Sequence, residues 1–260
     1  PGHPEAILSD DSLQVQVDVG QTVTVPLTLS NPGSDRLSYS LNFSSFIPAG
    51  IVGDWPLDDG EGETVADQGP FSVSGFFGCC NGADDNDPLW EAGRSGFALH
   101  FVEHDRVRLA DYPAAHLPTA VTLAAWVKLD DYTNGTILNK GGTDDTGADW
   151  ALWADYGHIG AGFNELNDGP HFTGETLIPL DTWTHWAVTW DQASGLVRLY
   201  VNGQLDGQGA FAGPIITSSD REFFGQHLPD SVDEDFHGYA DDIMLFDHAL
   251  PVGEVRALMN

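Results

Sequence analysis

The chain has 260 residues, of which 41% are hydrophobic, including 8 Trp, 14 Phe and 6 Tyr. This apolar content is enough to build a core and excludes a disordered chain, and no apolar run approaches the ~20 residues of a membrane span. Because 40 Asp and Glu oppose 9 Lys and Arg, the formal net charge of −31 makes nucleic acid and anionic membranes poor partners, and we expect no membrane insertion.

Residues 1–49 are predicted to form a separate β segment. Apolar and polar side chains alternate along 13–19, 23–29 and 37–43, with turn residues between these runs. Three strands bury too little surface for a stable sandwich, so the segment either docks on the rest of the chain or completes a neighbouring chain. The chain begins at Pro1 without a signal-like stretch, and we interpret it as a mature product or a piece of a longer protein.

Residues 50–260 are predicted to form one all-β domain. Short strands alternate with Gly, Asp, Asn and Pro, and helical periodicity is limited to 251–258. This pattern predicts a two-sheet antiparallel sandwich of the jelly-roll type. The clearest predicted strands are 97–101, 107–109, 121–129, 136–139, 150–154, 184–190, 196–201 and 241–246.

The two cysteines, Cys79 and Cys80, are adjacent and lie within an acidic stretch between Phe71 and Ala92. Their spacing is neither a zinc nor a thioredoxin pattern. They form either a strained vicinal disulfide, which flanking glycines and an oxidising compartment would favour, or two thiols that are free or paired between chains.

Several runs resemble the laminin-G-like, concanavalin A-like jelly-roll family. The stretch 183–191 reads W-T-H-W-A-V-T-W-D and is followed by L-Y-V-N-G at 199–203, which is similar to the central hairpin of that family. The opening run 54–62 with Asp67, and the closing run 236–250, also resemble family signatures. The resemblance spans about 205 residues and implies the concanavalin A-like fold, whereas 71–92 is an insertion that it does not predict. Residues 23–40 resemble Ig-like stalk modules of secreted bacterial proteins.

Catalytic strings of enzymes with this fold are missing from the sequence. Neither the paired carboxylates of E-x-D-x-x-E nor the R-x-E-L-R and Q-x-H strands of the lyases occur. The ten histidines show no metal-ligand spacing. We therefore expect no enzymatic activity, with a glycan-active enzyme of unfamiliar site as a remaining alternative.

Calcium is the cofactor that the resemblance implies. In similar modules an Asp of the opening segment and an Asp of the closing signature meet at one structural ion, which here implies Asp67 and Asp241, with Asp105 as a third candidate. The alternative is that Asp241 caps a strand and Asp67 is a turn residue. The acidic surplus itself indicates either bound divalent cations or a solvated, halophilic surface that salt screens.

A sugar-binding surface is the second site hypothesis. Alternation along strand 150–155 predicts Trp150, Leu152 and Ala154 on one face and Trp153 on the other, where its ring could stack on a sugar. His185 and Arg198 are predicted to share that face as hydrogen-bond donors. The remaining tryptophans of the strands, Trp126, Trp186 and Trp190, are predicted to be core residues.

Together these patterns predict a non-catalytic, calcium-stabilised binding or adhesion module that is secreted to the cell surface or the extracellular space and recognises a polysaccharide or surface glycan. The rival interpretation is a structural subunit or spacer of an adhesin or filament, in which the N-terminal strands complete a neighbouring domain or subunit.

Overall fold

The computed structural model describes residues 7–8, 28–32, 48–78, 85–141, 148–164, 169–219, 222–226 and 235–259. Most of the predicted N-terminal strands, together with Cys79 and Cys80, lie outside these residues. What is described of the N-terminal segment is a short antiparallel ladder in which Ile7–Leu8 pairs with Leu29–Ser30. The proposed boundary at residue 49 therefore stays a prediction.

The described chain is almost entirely β-structure, as the sequence pattern predicts. Every predicted strand of 50–260 is present within three residues of its expected bounds, and the terminal helix is α1 (Val252–Ala257). A short 3-10 helix spans Pro113–Ala115. The strands are, in chain order, β1 (Ile7–Leu8), β2 (Leu29–Ser30), β3 (Ile51–Trp55), β4 (Thr64–Val65), β5 (Gly75–Phe77), β6 (Leu89–Ala92), β7 (Phe97–Phe101), β8 (Val107–Arg108), β9 (Ala120–Leu129), β10 (Gly135–Gly141), β11 (Ala148–Asp155), β12 (His158–Phe163), β13 (His171–Thr173), β14 (Thr184–Asp191), β15 (Leu196–Val201), β16 (Gln204–Ala210), β17 (Glu222–Phe224) and β18 (Gly238–Phe246).

Two antiparallel sheets pack face to face. The front sheet has the order β13-β12-β11-β10-β17-β8-β5-β4, and the back sheet has the order β16-β15-β14-β9-β18-β7-β6, with β3 also paired to β18. The insertion 71–92 contributes β5 to the front sheet and β6 to the edge of the back sheet. This part of the insertion therefore extends both layers.

The central hairpin forms as its sequence predicts. β14 and β15 pair from Trp186 opposite Val201 to Asp191 opposite Leu196. The next turn has positive φ at both Asn202 (48°) and Gly203 (68°), which is the backbone that Asn-Gly favours in two-residue hairpins.

One apolar core fills the space between the sheets, and a second, smaller cluster lies outside the back sheet. Trp186, Val188 and Trp190 of β14 point into the main core. Ala187, on the opposite face of the same strand, packs instead in the smaller cluster with residues of α1. Because successive side chains of a strand alternate between faces, α1 covers part of the outer surface of the back sheet.

Trp126 differs from its prediction as a core residue. It is only 8% exposed, but it belongs to neither apolar cluster. On β9 the core receives Ala125 and Val127, so Trp126 points outward from the back sheet. Among the described residues, no helix is both long and apolar enough to cross a membrane.

Candidate functional site

Trp153 points outward from the front sheet, which confirms the predicted alternation of β11. Trp150, Leu152 and Ala154 all belong to the main core, whereas Trp153 is outside that cluster and partly exposed. The period of two along this strand therefore places one indole ring on the outer face of the front sheet.

Glycine and histidine shape the surface around this ring. Trp153 lies opposite Gly160 of β12, and a Cβ at Gly160 would clash with Nε1 of the indole. Since glycine has no side chain, the ring can lie directly over the neighbouring strand. The ring of His171 on β13 packs against the indole in a T-shaped arrangement, with ring centroids 5.1 Å apart and an interplanar angle of 71°.

Polar groups lie beside the aromatic ones. Asp155, two residues along β11 from Trp153, shares its outer face, and its Oδ2 accepts a hydrogen bond of 2.5 Å from Oγ1 of Thr173. Thr173 is opposite Gly160 in the ladder between β12 and β13. We call Trp153, Asp155, Gly160, His171 and Thr173 the Trp153 platform. An apolar ring beside a carboxylate, an imidazole and a hydroxyl can stack on a sugar and bind its hydroxyl groups.

His185 and Arg198 do not join this platform. Both point outward from the back sheet, since Ala187 and Tyr200, which neighbour them at alternate positions, lie in the cluster outside that sheet. The outer faces of the two sheets are on opposite sides of the sandwich. The predicted grouping of these two residues with Trp153 is therefore wrong, because strand alternation does not determine which sheet a strand joins.

His185 and Arg198 are also apart from each other. Arg198 is opposite Thr189, four positions along β14 from His185, which corresponds to about 13 Å. His185 is 2% exposed, and burial, assisted by the charge of Arg94, lowers its pKa to about 3. The imidazole is therefore neutral and enclosed, which does not suit a donor to an external ligand.

Asp67 organises its own loop. Its Oδ1 accepts hydrogen bonds from the backbone N–H groups of Asp54 (3.0 Å) and Gly69 (2.7 Å), and its Oδ2 accepts one from Val73 (2.7 Å). A carboxylate with three backbone donors is satisfied without a metal ion. These hydrogen bonds are the ones expected of Asp67 if it is a turn residue, which is the alternative to a role as a calcium ligand.

Asp241 lies among other carboxylates. Burial, together with the charges of Asp242 and Asp58, raises its pKa to about 7, although the backbone N–H groups of Arg94 and Asp242 act in the opposite direction. Those two groups donate to Asp241 at 3.0 and 2.9 Å. A register shift after Asp241 and a positive φ of 47° at Asp242 mark a bulge in β18. The carboxylates whose charges raise the pKa of Asp241 are therefore those of Asp242 and Asp58.

Asp105 belongs to a third environment. It is 3% exposed, its Oδ2 accepts the backbone N–H of Val102 at 2.8 Å, and burial raises its pKa to about 6. Asp87 and Asp235 raise the pKa of Asp105 further. Within the described parts of the chain, no three or more His, Cys, Asp or Glu side chains are placed to hold a metal ion. The predicted ligands Asp67, Asp241 and Asp105 are not a preformed set.

A second aromatic surface, which the sequence reasoning missed, crosses the back sheet. His100 and Tyr239 stack with centroids 4.1 Å apart, and Nζ of Lys128 lies 3.5 Å from the centroid of Tyr239. Trp183 stands edge-on to Tyr239 at 6.1 Å. We call His100, Lys128, Trp183 and Tyr239 the back-sheet ladder. The Tyr239 ring contacts both His100 and Lys128, and Nζ of Lys128 also lies 5.5 Å from the centroid of Trp183, which is partly exposed.

The family assignment follows from the sequence. Residues 102–256, more than half of the chain, match the family model Laminin_G_3, described as the concanavalin A-like lectin/glucanases superfamily. The chain therefore belongs to this family of laminin-G-like domains. A mucosal pentraxin homolog of Homo sapiens is 33% identical over 108 residues, which are 38% of this chain and 73% of that protein.

Solved structures share the fold. The binding domain of Paraclostridial Mosquitocidal Protein 1 superposes with a TM-score of 0.63 at 14% identity, covering 81% of this chain and 52% of that one. Domain 4 of AbnA, a GH43 extracellular arabinanase from Geobacillus stearothermophilus, in complex with arabinotriose, gives a TM-score of 0.61 at 21% identity. That match covers 81% of this chain and 98% of domain 4. This chain thus spans about half of the mosquitocidal binding domain and nearly all of the arabinanase domain.

Proposed function

We propose that this chain is a non-catalytic carbohydrate-binding module and that the Trp153 platform is its sugar-binding surface. The observation that carries the proposal is the partly exposed indole of Trp153 over Gly160, with His171 at its edge. Support comes from the shared fold with a domain solved in complex with arabinotriose.

The platform favours a neutral polysaccharide or surface glycan as the ligand. A sugar ring presents an apolar face to the indole, while its hydroxyl groups can donate to Asp155 or Thr173 and accept from His171. The acidic surface disfavours anionic glycans, since like charges repel. An extracellular or cell-surface location and a role in adhesion are part of the proposal.

The test is a glycan array followed by calorimetry with the best ligand. Trp153→Ala should weaken binding by about tenfold or more, because stacking and apolar contact are lost. Trp183→Ala on the back-sheet ladder is the matched control and should change affinity less than about twofold. Loss of binding in the control alone would move the site to the back-sheet ladder. An array without any ligand would favour the rival role as a spacer or filament subunit.

Calcium stabilisation is a separate proposal. Its support is the chemistry around Asp241, where Asp58 and Asp242 repel its charge. A divalent cation would relieve this repulsion, and carboxylate oxygens are the ligands that Ca²⁺ prefers. If calcium binds there, added Ca²⁺ should raise the melting temperature of the chain and of Asp67→Asn, but not of Asp241→Asn. An equal response in all three proteins would contradict the placement.

A further inference from the structure

Two charged residues face each other inside the front sheet. Lys140 of β10 and Glu222 of β17 are directly opposite in the antiparallel ladder, and both side chains are fully buried. Leu138 and Phe224, two residues along on each strand, are opposite each other and belong to the main core. Lys140 and Glu222 therefore point towards the inside of the sandwich.

A third charged residue meets them from a loop. Nζ of Lys140 lies 2.7 Å from Oδ1 of Asp111 and 3.3 Å from Oε1 of Glu222. Asp111 precedes the 3-10 helix at Pro113–Ala115, and Nε2 of His116 lies 2.8 Å from the same Oδ1. The amine and the carboxyl group are thus in contact, and a second carboxyl group touches the same nitrogen.

Glu222 is poised to hold a proton. Apart from the ion pair with Lys140, its carboxyl oxygens have no hydrogen-bond partner among the described residues, and burial raises its pKa to about 8 although the charge of Lys140 and a hydrogen bond from it oppose this. The surroundings are aromatic: Trp150 is opposite Lys140 on β11, and Tyr112 is 7% exposed. The Tyr112 hydroxyl and Trp150 Nε1 also have no hydrogen-bond partner among the described residues.

We propose that Lys140 and Asp111 become joined by an intramolecular isopeptide bond and that Glu222 is the catalytic residue that moves the protons. Protonated Glu222 gives a proton to the Asp111 carboxylate, and the resulting Glu222 carboxylate takes one from the Lys140 ammonium. The neutral amine then attacks Cγ of the neutral Asp111 carboxyl group. A C–N bond forms, a C–O bond breaks and one water leaves. Glu222 carries the proton from the nitrogen to the departing hydroxyl, and its carboxyl group is protonated at the end, as it was at the start.

The geometry provides two physical reasons for the reaction. Holding the amine in contact with the carboxyl group replaces a bimolecular encounter by an intramolecular one, which removes the entropy cost of bringing the groups together. In addition, the fully buried ammonium of Lys140 and the partly exposed carboxylate of Asp111 become a neutral amide, and burying a charge in a low dielectric is costly even when it is paired. The bond would tie the loop that contains Asp111 to the centre of the front sheet.

Mass spectrometry of the full 260-residue chain tests the proposal directly. After treatment with a reductant, so that Cys79 and Cys80 contribute no mass difference, the intact mass should lie about 18 Da below the sequence mass, equal to one water. Trypsin should fail at Lys140 but cut at Lys128, the only other lysine of the chain. Tandem spectra should join peptide 109–128 to peptide 129–198.

Variants assign the roles of the residues. Asp111→Ala and Glu222→Gln should both show the full sequence mass and normal cleavage at Lys140, because one lacks the acceptor and the other the proton carrier. Since the Asp111 side chain is 27% exposed, its variant should retain the fold, as circular dichroism will verify. A wild-type chain that is folded, has full mass after overnight incubation and is cleaved at Lys140 would overturn the proposal. A cross-link from Lys140 to any other carboxyl group would overturn the assignment of Asp111.

Discussion

The guanidinium carbon of Arg94 lies 4.0 Å from the centroid of the Trp126 ring, on the outer face of the back sheet. The same residue donates its backbone N–H to Asp241 at 3.0 Å, and its guanidinium donates to the carbonyl of Met259 at 2.9 Å. Arg94 thus joins the turn between β6 and β7 to β18 and to the end of α1. It also accounts for the burial of Trp126 outside the apolar clusters.

Arg94→Met is expected to destabilise the fold by about 1–2 kcal/mol, since a cation–π contact with the buried Trp126 ring and a hydrogen bond to the carbonyl of Met259 are lost. Urea unfolding measures the change. Arg198→Met is the matched control, because Arg198 lies on the same outer face and no cation–π contact of its guanidinium is found among the described residues. Equal destabilisation by both variants would assign the effect to general loss of positive charge.

His185 should make the protein sensitive to acid. Burial lowers its pKa in the folded state to about 3, below the unfolded value near 6.5, so the unfolded state binds the proton more readily. The stability from neutral His185 is therefore complete above pH 6.5 and is lost as the pH falls. His185→Gln removes this term, so wild type should lose about 1.4 kcal/mol per pH unit relative to the variant between pH 6 and pH 4.

Urea unfolding of both proteins at each pH value measures this difference. A pH-independent difference for His185→Gln would show that the imidazole is reached by water in the folded state.

Gly160→Ala tests the close approach of Trp153 to β12. A Cβ at this position would clash with the indole, so the ring must lift from the strand, and sugar affinity should fall by about tenfold with little change in unfolding free energy. Gly253→Ala in α1 is the control, because no atom lies within 4 Å of its built Cβ. It should bind as wild type does, and its stability should rise by up to about 1 kcal/mol through helix propensity. Unchanged sugar affinity in Gly160→Ala would place the ligand elsewhere.

Salt should stabilise this chain. With a net charge of −31, self-repulsion opposes the compact state, and added ions screen it over a Debye length that falls from about 30 Å at 0.01 M to about 3 Å at 1 M. Thermal unfolding in increasing NaCl should therefore show a rising melting temperature. A flat or falling curve would contradict the halophilic interpretation.

If the protein is secreted and the pair is oxidised, Cys79 and Cys80 form a vicinal disulfide. The chain without reductant should then be about 2 Da lighter than the reduced chain and monomeric on a non-reducing gel. Reduction should barely change global stability, because a ring between neighbouring residues removes almost no loop-closure entropy from the unfolded state. Thiols that alkylate without reductant would exclude the disulfide, and a reducible dimer would favour the filament interpretation.

Local patterns of the sequence determined much of the fold. The alternation of Trp150, Leu152 and Ala154 with Trp153 predicts the two faces of β11, and Asn202-Gly203 predicts a tight hairpin. These features depend on residues close in the chain and on the period of two, so no knowledge of the partner strand is needed. The strand His158–Phe163 was missed because its glycines and alanine weaken the β signal.

The tertiary structure alone decided which side chains meet. Trp153 and His185 both lie on strands whose faces the sequence predicts, yet β11 and β14 belong to different sheets, so their outward residues lie on opposite surfaces. Conversely, Lys140, Asp111 and Glu222 come together because β17 pairs with β10 and the loop before the 3-10 helix reaches the same end of the core. Strand order depends on the free energy of packing the whole core, and a local period carries no information about it.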